Sequence, residues 1–178
     1  MLCFCALNIY AQEPKERYDI GLSYGAGGVY TGKNYDHNNH YFRANCFYTP
    51  KQKKHYFQYQ VLLAPEINFA EHKQYGKAID LKEYSLNIGG IARRSFSKQF
   101  SVFALVSTGP AYLSKATPRL SKGFAFANNA SLGTAYKIED ITLTLTAGIR
   151  HISNANIRPV NNGVDTGNLE LGITYRLK

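Results

Sequence analysis

Apolar and polar side chains alternate with a period of two along the C-terminal part of the chain. From residue 141 to 151, aliphatic residues occupy most odd positions, whereas threonine, glycine and arginine occupy the even ones. After a loop, the alternation resumes from residue 169 to 177 with the same parity. Because successive side chains of a β-strand point to opposite faces, each segment predicts a strand with one apolar face.

The same alternation recurs upstream and predicts six further strands. Their approximate ranges are 18–26, 42–48, 57–69, 84–88, 100–113 and 124–136. Residues 100–113 are apolar at both parities, so the pattern does not predict which face of that strand is apolar. Together with the two C-terminal strands, these segments bring the predicted number to eight.

The lengths and faces of these strands are typical of a membrane barrel. Several exceed the ~5–6 residues common in soluble sheets and match the ~9–11 residues that cross a bilayer. Their polar faces combine charged and amide side chains with glycine, which suits a tightly filled lumen, and aromatic residues near the strand ends suit interfacial girdles. The longest apolar run is too short for a transmembrane helix. The sequence therefore predicts an all-β fold, an eight-stranded antiparallel transmembrane up-and-down β-barrel.

The connections between the predicted strands alternate in length. Those around 50–54, 97–98 and 139–140 are short, and those around 31–39, 71–80, 115–123 and 153–166 are long. In bacterial outer-membrane barrels the short turns are periplasmic and the long loops extracellular, which places the loop after residue 153 outside. The alternative is a soluble eight-stranded barrel of lipocalin type with an apolar interior, which explains this alternation less well.

Residues 1 to 11 are apolar and uncharged, and a polar stretch follows them. They resemble the apolar region of a secretory signal that ends near Ala11, so we expect residues 1–11 to be a truncated signal segment and residues 12–178 to form the outer-membrane barrel domain. Removal of the segment would leave Cys46 as the single cysteine, without a partner for an internal disulfide.

The chemically distinctive residues come where the first C-terminal strand ends. His151 and Ser153 continue the odd, apolar parity rather than the polar one. Two residues apart on a strand, they project to the same face, so the imidazole could reach the hydroxyl. If that face contacts lipid, an enzyme that uses the pair would act on a component of the membrane itself.

The segment around this pair resembles a known family. His151-Ile-Ser-Asn-Ala155, followed by Asn161-Asn-Gly163 and an alternating strand, is similar to the C-terminal signature of the lipid A 3-O-deacylases of the outer membrane. The resemblance implies an eight-stranded barrel that hydrolyses the ester-linked acyl chain at the 3-position of lipid A. At Asn156, this sequence has asparagine where the family often has glycine.

The resemblance also implies the roles of individual residues. His151 is the general base, Ser153 is the nucleophile, and Asp165 is the acid of a triad, at a position where the family more typically has glutamate. The remaining residues of the motif are implied to position the oxyanion or the substrate: Asn154, Ala155, Asn161 and Gly163.

The partners follow from the same resemblance. It implies lipid A or lipopolysaccharide as substrate, a membrane-embedded monomer or homodimer, an active site at the outer leaflet, and neither a cofactor nor a nucleic-acid partner. Two other functions stay open, namely a non-catalytic structural or adhesive barrel, and an outer-membrane phospholipase or general esterase that uses the same pair.

The formal net charge of +9 adds one expectation about the loops. Basic residues of the predicted long loops could hold the phosphates of lipopolysaccharide through charge-assisted hydrogen bonds; they are Lys33, Lys73, Lys77, Lys115, Arg119, Lys122 and Arg158. Asp36, His37 and His40 also cluster in a predicted loop, but no second cluster supplies further metal ligands, so we expect no metal there.

Overall fold

The computed structural model describes residues 16–29, 34–52 and 56–177. Within them, eight antiparallel strands form a closed barrel in which each strand pairs with the next and the last pairs with the first. The strands are β1 (Arg17–Gly28), β2 (Asp36–Thr49), β3 (Gln58–Gln74), β4 (Lys77–Ser95), β5 (Phe100–Leu113), β6 (Gly123–Ile138), β7 (Ile141–Ser153) and β8 (Val164–Arg176). The predicted eight-stranded up-and-down barrel is confirmed. Residues 1 to 11, the expected export segment, lie outside the described residues.

The described part of the chain contains no helix that is long and apolar enough to cross a membrane.

The outer surface of the barrel is apolar and its interior is polar. Leu22, Leu132 and Leu171 expose about two thirds of their surface on the outside. The interior holds charged and amide side chains that are almost completely buried, among them Arg150 and Glu83. A soluble barrel of lipocalin type has the opposite arrangement, so that alternative is wrong.

Ion pairs cross the lumen and fill it. Arg43 donates to Glu66 at 2.7 Å and pairs with Glu170 at 2.9 Å, and Arg150 donates to Glu83 at 2.7 Å. Buried charges cost several kcal/mol each unless they are paired, and five strands, β2, β3, β4, β7 and β8, supply the partners. The tightly filled polar lumen predicted from the strand faces is therefore present.

The orientation of β5, which the sequence pattern did not predict, follows from an apolar cluster inside the barrel. Phe103 and Leu105 point inward and pack with apolar residues of neighbouring strands, whereas Val106 points outward. Both parities of β5 are therefore apolar because one faces this cluster and the other faces the outside.

The connection around residues 71–80 differs from its prediction. It is not a long loop, because β3 and β4 remain paired up to Gln74 and Lys77. Tyr75 and Gly76 alone form the turn, with φ angles of 52° and 71°. Tight two-residue hairpins require such positive φ values. The prediction failed because these strand ends carry charged side chains on their outer face, such as Glu71 and Lys73, which resemble a loop in sequence.

A second apolar cluster lies at the end of the barrel where β7 meets β8. Leu113, Leu120, Ile152 and Val164 are all at most 2% exposed and form part of it. Ile152 and Val164 thereby anchor the last residues of β7 and the first residues of β8 to the interior. Strand alternation then forces their neighbours, residues 151, 153 and 165, to the outside.

Candidate active site

His151, Ser153 and Asp165 lie on the outer surface of the barrel at one end of β7 and β8. His151 and Asp165 are directly opposite each other in the strand pairing. Their side chains are 47% and 25% exposed, and that of Ser153 is half-buried. The sequence parity predicted this outward direction for His151 and Ser153.

A short hydrogen bond joins the histidine and the aspartate. His151 Nδ1 lies 2.6 Å from Asp165 Oδ1. A carboxylate at this nitrogen favours the tautomer in which Nδ1 carries the proton, which leaves Nε2 free to accept one. Directly opposed residues of antiparallel strands have Cβ atoms only about 5 Å apart, so aspartate is long enough to reach the ring.

Gly163 supports the ring of His151 from the loop between β7 and β8. Its φ is 62°, in the left-handed region. A Cβ built on Gly163 would lie 2.8 Å from His151 Cε1 and 3.5 Å from Nε2. A side chain there would therefore displace the imidazole, so the packing requires glycine at this position.

Ser153 makes no side-chain hydrogen bond within the described residues, and it shares with His151 the outer face of β7. Residues two apart on a strand are about 7 Å apart at Cα, so the two side chains must rotate toward each other to meet. Such contacts are often loose before a substrate is bound. On the neighbouring strand, the residue opposite Ser153 is Phe126.

Asn154 and Asn161 organise the loop that follows Ser153. The backbone N–H of Asn154 donates to Asn161 Oδ1 at 2.7 Å, and its carboxamide donates to the Val160 carbonyl at 2.8 Å. Asn154 is fully buried. Its backbone N–H and its carboxamide are therefore each hydrogen-bonded inside the loop, and its side chain is not on the outer surface with His151.

The next two residues of the loop have left-handed backbone conformations. Ala155 has a φ of 50° and Asn156 a φ of 62°. Asparagine adopts this region more readily than other residues with a side chain, and glycine adopts it freely. This conformation explains why asparagine can occupy the position where a glycine often follows the motif.

Arg119 holds the site loop, a role that the sequence did not indicate. From the loop between β5 and β6, its Nε donates to the Gly163 carbonyl at 2.7 Å and its Nη2 donates to the Asn162 carbonyl. The guanidinium also lies 4.2 Å from the ring centre of Tyr35. Arg119 is thus engaged with protein groups, and the expectation that it binds a lipid phosphate does not fit this structure.

The sequence predicts a loop that contains Asp36, His37 and His40. In the structure all three belong to β2, and their side chains do not point to the same face. His37 is buried in the lumen, with Nδ1 3.3 Å from His72 Nδ1. His40 is exposed on the outside and stacks on Phe69. Asp36 is exposed at the strand end. Within the described residues, no group of three or more His, Cys, Asp or Glu side chains is arranged to hold a metal ion.

Comparisons with known proteins bear on the family and the fold of the chain. The family model of lipid A 3-O-deacylase, PagL, matches residues 39–174, more than half of the chain. No curated protein sequence matches the chain.

Solved structures share the fold, and two of them are compared here in numbers. The crystal structure of the outer membrane enzyme PagL has a TM-score of 0.57 and 12% sequence identity, covering 86% of this chain and 97% of that one. The crystal structure of Neisserial surface protein A has a TM-score of 0.54 and 16% identity, covering 90% and 97%. The extent of the family match assigns the chain: it is an outer-membrane β-barrel that belongs to the lipid A 3-O-deacylase family.

Proposed function

We propose that this protein is a serine esterase that removes the ester-linked acyl chain at the 3-position of lipid A, with Ser153 as nucleophile, His151 as general base and Asp165 as the residue that orients it. The observation that carries the proposal is the 2.6 Å contact between His151 and Asp165 on the outward, lipid-facing surface. Family membership supports the same reaction class.

The mechanism follows from the chemistry of the three side chains. His151 Nε2 takes the hydroxyl proton of Ser153 while the serine oxygen attacks the ester carbonyl of lipid A. The tetrahedral intermediate then expels the sugar oxygen, which receives that proton from His151 and leaves as a hydroxyl group. Water, deprotonated by the same nitrogen, attacks the acyl-serine, and the fatty acid is released as that proton returns from His151 to the Ser153 oxygen. The Asp165 carboxylate stabilises the imidazolium formed in each step.

The oxyanion needs hydrogen-bond donors close to Ser153. Since Asn154 is buried and its backbone N–H and carboxamide are hydrogen-bonded inside the loop, we assign this role to the backbone N–H groups of Ala155 and Asn156, which make no hydrogen bond within the described residues. Asn161 and Gly163 act as positioning residues, because Asn161 ties the loop to Asn154 and Gly163 supports the imidazole.

The first test is hydrolysis of purified lipid A in mixed micelles by the refolded protein, followed by mass spectrometry. We expect loss of one hydroxyacyl chain, which fragmentation assigns to the 3-position. Ser153→Ala and His151→Ala should each lower the rate by at least about 1,000-fold, the usual effect of removing a triad member.

The matched controls are Ser95→Ala, an exposed serine at the other end of the barrel, and His40→Ala, another outward histidine. Both should retain full activity. Activity that survives Ser153→Ala would disprove the nucleophile assignment. Parallel reactions with phospholipid test the other functions, since hydrolysis of phospholipid alone indicates a phospholipase and hydrolysis of neither indicates a non-catalytic barrel.

A further inference from the structure

An arginine without a carboxylate partner lies in the lumen at the end of the barrel that carries the short turns. Arg93 belongs to β4, and its Nε is buried and makes no hydrogen bond within the described residues. Its Nη1 donates to Ser101 Oγ at 3.4 Å, and its guanidinium lies 5.2 Å from the ring centre of Phe103. One long hydrogen bond and an apolar ring do not compensate a positive charge that has been removed from water.

The other inward arginines of the described strands differ from Arg93 in this respect. Each has a carboxylate oxygen at 3.8 Å or closer, and the pairs are Arg43 with Glu66 and Glu170, Arg150 with Glu83, and both Arg17 and Arg176 with Asp19. The lumen thus compensates its buried positive charges with carboxylates of the chain, and Arg93 is the exception among the described residues. A compensating anion from outside the chain would complete the pattern.

A cavity of about 50 Å³ beside Arg93 has room for such an anion. This volume holds about three or four water molecules or one small oxyanion. The charged side chains that line it are four arginines and two carboxylates, namely Arg17, Arg43, Arg93, Arg176, Asp19 and Glu170. The lining therefore has more positive than negative charge, and a concave site with this excess attracts anions.

The arrangement of the donors around the cavity favours a tetrahedral anion. In the closed order of eight strands, β4 and β8 lie on opposite sides of the lumen, so Arg93 and Arg176 approach the cavity from opposite sides. The hydroxyl groups of Thr142 and Thr144, on β7, supply further possible donors. A phosphate group presents oxygens in several directions and accepts the paired N–H groups of a guanidinium, whereas a planar carboxylate presents its two oxygens to one side.

We propose that this cavity, at the periplasmic end of the lumen, binds a phosphate group between Arg93 on one wall and Arg176 and Arg17 on the other. The bound phosphate compensates the charge of Arg93 and joins β4 to β8 and β1 across the lumen. The site lies at the opposite end of the barrel from His151 and Ser153, so the inference does not depend on the proposed esterase function.

The test is a calorimetric titration of the full chain, refolded in a non-ionic detergent, with inorganic phosphate at neutral pH and an ionic strength kept constant with sodium chloride. We expect saturable binding of one phosphate per barrel with a Kd on the order of 1 mM, the affinity of a few charge-assisted hydrogen bonds that replace hydration. The midpoint of urea unfolding should rise with the phosphate concentration, because a ligand that binds only the folded barrel stabilises it.

Two neighbouring arginines provide a matched pair of variants. Arg93→Met should weaken phosphate binding at least about tenfold, the loss of one charge-assisted hydrogen bond. Arg94→Met removes the next arginine, which is exposed on the outer surface beside Phe96, and should bind phosphate like the unmodified protein. Arg93→Lys should retain part of the affinity, because the charge remains without the paired donors. Gel mobility of the unheated barrel, which differs between folded and unfolded forms, reports folding of each variant.

Other anions identify the ligand and can overturn the inference. Methyl phosphate distinguishes its source, since affinity equal to that of inorganic phosphate assigns the site to the phosphate group of a larger molecule as well, and much weaker binding restricts it to the free ion. Acetate should bind at least about tenfold more weakly than phosphate, and equal affinity would contradict a tetrahedral site. Absence of saturable binding, or equal binding by the unmodified protein and a folded Arg93→Met variant, would show that the cavity is not a phosphate site.

Discussion

At the scale of the residue, the site depends on backbone conformation as much as on side-chain chemistry. Gly163 has a left-handed backbone and lies against the imidazole of His151, while the hydrogen bond to Asp165 holds the other side of that ring. The carboxylate of Asp165 therefore orients the histidine ring, and the absence of a side chain at Gly163 leaves the space that the ring occupies.

Gly163→Ala should abolish most of the activity while the barrel stays folded. The added methyl would lie 2.8 Å from His151 Cε1, so the ring must shift, and misplacing a catalytic group by about 1 Å can cost about 100-fold in rate. The measurement is kcat on lipid A together with the unfolding midpoint.

Gly76→Ala is the matched control for this variant. Gly76 has a similar φ of 71° but nothing within 4 Å of its added Cβ. The two substitutions thus share the cost of a left-handed alanine, about 1 kcal/mol, and differ only in the collision. Equal activities of the two variants would show that Gly163 does not position His151.

The alternation in the sequence was sufficient to predict that His151 and Ser153 face outward, because the side chains of a strand can point to only two faces. It could not reveal the function of Arg119. The acceptors of Arg119 are the backbone carbonyls of Asn162 and Gly163. Every residue has a backbone carbonyl, so the sequence does not indicate which ones accept a hydrogen bond. The alignment of His151 with Asp165 across the pair of strands was implied by the resemblance alone, since strand register is needed to place residues of different strands opposite each other.

At the scale of the element, the β5–β6 loop and the β7–β8 loop form one unit. Leu120 and Asn161 form an isolated β-bridge, and the Asn162 N–H donates to the Arg119 carbonyl at 2.8 Å. The loop that carries the motif is thus held by a second loop distant in sequence. The strands were predictable from local alternation, whereas this contact between loops has no local pattern.

Arg119→Leu should loosen the β7–β8 loop without affecting the barrel. Two hydrogen bonds to backbone carbonyls and the contact with Tyr35 are lost, so we expect faster proteolysis within residues 154–163 and about tenfold lower kcat. Limited proteolysis with mass spectrometry locates the cleavage.

Lys115→Leu removes a neighbouring exposed cation of the same loop and serves as the comparison. It should leave both cleavage and kcat unchanged. If both variants reduce activity to the same extent, positive charge on the loop matters rather than the hydrogen bonds of Arg119.

At the scale of the whole molecule, the barrel is stabilised from within by charge. The apolar exterior contributes little to folding inside a membrane, because lipid and apolar side chains are similar solvents. The lumenal pair of Arg43 with Glu66 joins the neighbouring strands β2 and β3, and that of Arg150 with Glu83 joins β7 to β4 across the lumen. The polar strand faces allowed a filled lumen to be predicted, but the partners within it depend on the closure of the barrel.

Glu83→Gln should destabilise the barrel by about 3 kcal/mol. It leaves the guanidinium of Arg150, which is 3% exposed, with Glu66 at 3.6 Å as its remaining carboxylate partner. Urea unfolding in micelles, followed by circular dichroism, measures the change. Glu71→Gln, which breaks the exposed ion pair with Lys73, should hardly change the midpoint of urea unfolding. Equal shifts would contradict a stabilising lumenal network.

The side chains of His151 and Ser153 point outward from the barrel toward the surrounding membrane, and not into the water above it or into the lumen. This direction determines the route by which any substrate reaches them. Encounter takes place by lateral diffusion in two dimensions. The quantity that governs the rate is then the mole fraction of substrate among the surrounding amphiphiles, so surplus detergent dilutes the reaction even when the bulk concentration of every reactant stays constant.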